Sequence, residues 1–100
     1  MGFLDSVFNA AKSGMDKLCV QQFNEYRSRP TDLLERQARA ADNNGARRLF
    51  ILAIASKDMH RGIDLANEFD MHKRSFNLLL QSNDRVMSET AASLMEALYD

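Results

Sequence analysis

Apolar positions recur in steps of three and four through most of the chain. From Leu4 they fall at Val7, Phe8, Ala11, Met15, Leu18, Cys19, Phe23 and Tyr26. That spacing lines one side of an α-helix and predicts a helix over residues 4–26. Asp5 suits the positive end of its dipole. Gly14 is a point where it can bend. Pro30 forbids continuation, and Thr31 is placed to cap a second helix. In that helix Asp32 and Glu35 stand four residues ahead of Arg36 and Arg39. Acid-first pairs at this spacing support a helix. Its apolar stripe is narrow, with Leu34, Ala38 and Ala41 and with Leu33 beside them, so a neighbouring helix can come close. Asp42 to Gly45 then reads as a turn, because Asn and Gly tolerate positive φ.

The pattern changes at Leu49 to Ala55, which is apolar on every side. A helix of that kind belongs at the centre of a domain. Ile51 and Ile54 also suit a strand, but no second strand-like segment exists to pair with them. The expected central helix covers about 46–56. Asp58 and Asp70 are placed to cap helices over about 59–69 and 71–81, and Ser82 to Asp84 interrupts again. A last helix over about 84–99 carries Met87, Ala91, Leu94, Met95 and Leu98 on one stripe. The expected fold is all-α: a compact bundle of five to six short helices around the central apolar helix. One domain would span 1–100, with the amphipathic helix over 4–26 semi-independent of the 31–99 bundle.

Composition narrows the function classes. The chain has 100 residues, of which 45% are apolar and 27% charged, so it can build one core without staples. Its net charge of −1 gives no whole-chain field towards nucleic acid or acidic lipid. One cysteine cannot form an internal disulfide, and Cys19 reads as a small buried hydrophobe. Leu49 to Ala55 is far too short to span a bilayer. The first residues lack a basic segment followed by a continuous apolar core, so no secretory signal is expected. Gly2 and Ser6 fit the loose myristoylation pattern, but bulky Phe3 follows the glycine and the match reads as chance. The expected location is cytoplasmic.

The segment Gly62 to Leu80 raises a sharper possibility, because it reads as two helices with a tight turn between them. Ala66 is small enough for a close crossing. Leu65, Phe69, Met71, Phe76 and Leu79 are spaced to anchor both helices. His72, Lys73, Arg74 and Asn77 fall near the start of the second helix, where a helix-turn-helix reads base edges and phosphates. Three features oppose this reading. The turn holds Asp70 rather than glycine. Leu78, Leu79 and Leu80 in a row suggest a helix buried over a wide arc. Residues 51–100 carry five basic side chains against eight acidic ones, a poor balance for neutralising phosphates.

A second candidate surface is the arginine cluster of Arg27, Arg29, Arg36, Arg39, Arg47 and Arg48. An acidic partner or a phosphate would suit it. A solvated face with Arg36 and Arg39 committed to pairs within their own helix suits it better. Catalysis finds little support. His60 and His72 are isolated, no metal-ligand spacing occurs, and no glycine-rich phosphate loop is present. Six methionines are many for this length, and Met15, Met87 and Met95 fall on helical stripes as core filler or adaptable partner surface.

The sequence therefore points to a small non-enzymatic cytoplasmic module that binds a macromolecule, most readily another protein or a second copy of itself. Phe3, Leu4, Val7, Phe8, Arg36, Arg39, Arg47 and Arg48 are the candidate contacts. A helix-turn-helix regulator using His72, Lys73, Arg74 and Asn77 is the rival, with nucleic acid as the less favoured partner. Neither reading calls for a cofactor, a metal or a small-molecule substrate.

Overall fold

A computed structural model describes the backbone of residues 3–99 and the side chains of residues 14–99. Among these the chain forms α1 (Phe3–Arg27), α2 (Thr31–Ala40), α3 (Asn44–Lys57) and α4 (Met59–Glu68). A 3-10 turn (Lys73–Phe76) then runs into α5 (Asn77–Leu80), and α6 (Arg85–Glu96) closes the chain. No strand occurs among the described residues. The expected all-α bundle forms, and the expected central helix is α3.

Ile51, Leu52, Ala53 and Ile54 are consecutive and fully buried, with Leu49 and Ala55 nearly so. Four neighbouring positions on a helix cover every direction around it. They can all be buried only if other elements surround the helix. α1, α2, α4, α6 and the 3-10 turn do so. Phe23 of α1, Leu34 and Ala38 of α2, Leu65 and Ala66 of α4, Phe76, and Met87, Ala91 and Leu94 of α6 complete the core. Each large apolar side chain buried there contributes roughly 1.5–3 kcal/mol.

Helices α3 and α4 approach closely at Gly62. A Cβ on Gly62 would sit 2.6 Å from the Cβ of Ala55 and 2.9 Å from its Cα. Gly62 permits this approach to α3. The crossing expected at Ala66 is a different one, with the helix expected over 71–81. Ala66 lies one turn further on, fully buried.

The helix ends follow the expected chemistry in part. Asp58 accepts from the Arg61 N–H at 3.4 Å and Asp84 from the Met87 N–H at 2.9 Å, so both aspartates cap the helices they precede. Two expectations fail. Thr31 does not cap α2. Pro30 holds the N-cap position, Thr31 is the first helical residue, and no side chain caps this end. The turn over 42–45 uses no positive φ, which among the described residues occurs only at Asp70. Ala41 and Asn43 are extended there, and the Asn43 side chain accepts from the Ala46 N–H at 2.8 Å to start α3.

Candidate functional site

The Gly62 to Leu80 segment departs from a helix-turn-helix after its first helix. The Met71 N–H donates to the Ala66 carbonyl at 2.8 Å and the Asp70 N–H to the Asn67 carbonyl at 3.1 Å. With Asp70 at φ 52°, this is a Schellman closure of α4. Asp70 therefore ends one helix and does not begin the next. Met71 turns into the core and His72 is extended. The helix expected over 71–81 is replaced by four residues of 3-10 turn and four of α5. The cause lies at its start. His72 takes the N-cap position without a side-chain cap, and the Lys73 N–H donates instead to the Tyr99 carbonyl at 2.8 Å. A short pinned segment results, packed on α6 and α3. His72 and Lys73 are half-buried, whereas Arg74 and Asn77 are exposed. Two polar side chains thus reach the surface, but on a segment much shorter than a groove-reading helix. The leucine run also differs from expectation. Leu79 is buried, while Leu78 and Leu80 are exposed.

The arginines are drawn into separate tasks. Arg47 is buried, and its Nε donates to the Ala38 carbonyl at 2.8 Å. Its other nitrogens donate to the Ala41 carbonyl and the Asn44 side chain, and its guanidinium lies 3.9 Å from the Phe69 ring centroid. It closes the C-terminus of α2, the end that carries partial negative charge and orphan carbonyls. Arg47 is therefore no part of a free basic face. Arg39 donates from two nitrogens to both carboxylate oxygens of Glu68, at 2.9 and 3.0 Å, and from its third to Glu35 at 3.4 Å. Arg29 holds Glu25 and Gln37 and lies over Tyr26, whose own ring stacks on Phe50 at 4.4 Å. Arg27 lies over Phe23. The expected Asp32–Arg36 pair is replaced, because Arg61 of α4 takes both Asp32 and Glu35. That leaves Arg36 exposed and Arg48 half-buried with its Nε unbonded.

Apolar exposure is the surface feature that remains. On α1, Cys19, Val20, Phe23 and Tyr26 pack on the core. At about 100° per residue, Met15 and Leu18 lie about 80° and about 140° round the helix from Phe23. They are 61% and 67% exposed. Between them in sequence, the Asp16 carboxylate accepts from the Asn83 N–H at 3.1 Å and ties α1 to the turn before α6. The single stripe read from sequence is therefore two stripes, one for the bundle and one that leaves it. The side chains of Phe3, Leu4, Val7 and Phe8 lie outside the described residues. Leu78, Leu80, Val86 and Tyr99 are further exposed apolar residues that the sequence reading missed. The shortness of α5 is what frees Leu78 and Leu80, since one helical turn can bury only one side.

Among the described residues, no group of three His, Cys, Asp or Glu side chains is placed to hold a metal ion. None of their helices is long and apolar enough to cross a membrane. Comparison with family models, curated proteins and solved structures finds no match to this chain.

Proposed function

We propose that this chain is a non-enzymatic, cytoplasmic helical module that acts by binding protein, with the face of α1 that carries Met15 and Leu18 as its contact surface. The observation that carries this reading is the exposure of Met15 and Leu18, one turn apart. Single exposed apolar residues are ordinary. Here two of them end a run that continues in sequence through Ala11, Phe8, Val7 and Leu4, so a continuous apolar stripe is in question. Helices of this kind bind partners by laying the stripe against another apolar surface. The basic candidates support the reading less, since Arg39 and Arg47 are engaged within the fold.

A photo-reactive residue at Leu18, introduced into the chain in its source cells, should give a discrete cross-linked species. The same group at Asn67, exposed on α4, should not. Equal labelling from both positions, or none from Leu18, would remove the α1 surface from consideration.

A further inference from the structure

We infer that Asn44 is a site of self-modification: its side-chain amide is lost as ammonia through ring closure by the Gly45 main-chain nitrogen. Aspartate or isoaspartate is left at the start of α3. Asn44 is the only one of the seven asparagines that precedes a glycine. A Cβ on the following residue crowds the approach of its nitrogen to the asparagine side chain, and glycine carries none. Asn44 and Gly45 are both exposed, so water reaches them. Gly45 is the second residue of α3, and its N–H finds no hydrogen-bond acceptor among the described residues. Helices leave their first N–H groups without partners, and the Asn43 side chain takes the Ala46 N–H instead. The Gly45 nitrogen therefore gives up no hydrogen bond when it attacks.

The Asn44 side chain is also polarised. Arg47 Nη1 donates to Asn44 Oδ1 at 2.5 Å. Negative charge develops on that oxygen as the ring closes, and a cation already held beside it stabilises the charge. The Ala38 and Ala41 carbonyls and the Phe69 ring hold Arg47 in place. Asn24 Oδ1 accepts from Arg27 in a similar way at 3.4 Å, but Glu25 follows it. Asn44 alone joins the two conditions.

Hydroxide removes the Gly45 N–H proton, and the nitrogen bonds to Asn44 Cγ. The oxyanion on Oδ1 then reforms the carbonyl and the Cγ–Nδ2 bond breaks. Nδ2 takes a proton from water and leaves as ammonia. Residues 44 and 45 now share a succinimide ring, which water opens at either carbonyl. Cleavage of the new N–Cγ bond gives aspartate with the main chain intact. Cleavage of the original peptide bond gives isoaspartate, whose main chain runs through Cγ and is longer by a carbon. Aspartate sets a carboxylate in the first turn beside Arg47, where the helix dipole and the guanidinium both favour it. Isoaspartate moves the Ala46 and Arg47 N–H groups out of register with the Asn43 side chain and carbonyl that accept from them. The first turn of the central helix then opens.

The full chain, kept folded for several weeks at mildly alkaline pH and physiological temperature, tests this. Trypsin then releases residues 40–47 as one peptide. Its mass should rise by the difference between an amide and an acid, with fragment ions placing the change at Asn44. Peptides that carry the other asparagines, Asn24 included, should stay unchanged. A folded chain that stays unmodified overturns the inference, whether or not the same chain converts in urea. Conversion spread over several asparagines overturns it too. Gly45→Ala should slow the loss of ammonia roughly tenfold. An unchanged rate in that variant overturns ring closure. Arg47→Lys withdraws Nη1 and should also slow it, whereas mere loosening of α3 would speed it. An equal or faster rate there overturns the part given to Arg47. Unchanged far-UV circular dichroism checks that each variant is folded.

Discussion

Gly62 marks the place where one missing methyl group sets the separation of two helices. In an open helix, Gly→Ala gains about 1 kcal/mol from helix propensity. Here the added Cβ would meet Ala55 at 2.6 Å, far inside van der Waals contact, and part of that contact is backbone. Overpacking of this kind costs about 1–3 kcal/mol. We expect Gly62→Ala to lower stability by roughly 1–2 kcal/mol in urea titration, with Ala55→Gly in the same chain recovering part of the loss. A stabilised Gly62→Ala would mean that α3 and α4 do not approach so closely. The sequence did not reveal this position, because a glycine three residues inside a helix reads as a weakness until its neighbour is known. Asp58 was legible, since an aspartate cap and the N–H groups it accepts from lie within one turn; Asp84 caps α6 in the same way but was read only as part of a break. The close of α2 was not, because Arg47 reaches the Ala38 carbonyl from the next helix. Asp70 stands between these cases. Its tolerance of positive φ could be read from its side chain, but which of the two helices it would serve could not.

Helices α2 and α4 are joined across their exposed sides by long arginines running in opposite directions. Arg39 of α2 reaches Glu68 of α4, and Arg61 of α4 reaches Asp32 and Glu35 of α2. The donors and acceptors advance together along both helices, so α2 and α4 run parallel. The hydrogen bonds from Arg39, helped by its charge, hold the Glu68 carboxyl below its usual pKa against the opposing effect of desolvation. A lowered folded-state pKa means that this contact favours the fold at neutral pH and through the ordinary glutamate range. The contribution is lost as pH falls through the lowered value. Arg39→Gln should bring the Glu68 carboxyl back up towards that range in a side-chain carbon NMR titration. An unchanged Glu68 titration would show that the pair does not persist in solution. Both pairs were invisible to a reading that looked within single helices, where Glu35–Arg39 could be anticipated and Arg61 could not. The same limit explains the helix expected over 71–81. Its apolar spacing was sound, and Met71, Phe76 and Leu79 are all buried. Spacing does not report that the Lys73 N–H would donate to the Tyr99 carbonyl, twenty-six residues away in sequence.

The molecule measures 45 × 29 × 25 Å, and α1, at 25 residues, is much its longest element. It serves the whole through two faces that periodicity alone merged into one stripe. Phe23 is fully buried, and Tyr26 stacks on Phe50 of the central helix, so the C-terminal half of α1 is part of the core. Met15 and Leu18 lie on the side that the core does not cover. These two faces predict opposite responses to truncation. Phe23→Ala leaves a cavity against α3 and should cost about 3–5 kcal/mol, a large share of the roughly 5–15 kcal/mol that holds a typical domain together. Leu18→Ser removes an apolar side chain that is already mostly in water, and should change the unfolding free energy of the monomer by no more than about 0.5 kcal/mol. Urea titration at concentrations too low for association measures both on the same chain. A costly Leu18→Ser would place Leu18 against the bundle and leave α1 with no surface to offer. A mild Phe23→Ala would make α1 an appendage instead, carried beside a bundle that stands without it. A large loss at Phe23 with a negligible one at Leu18 would mean that a single rigid helix, anchored at one end, holds its other face ready for contact.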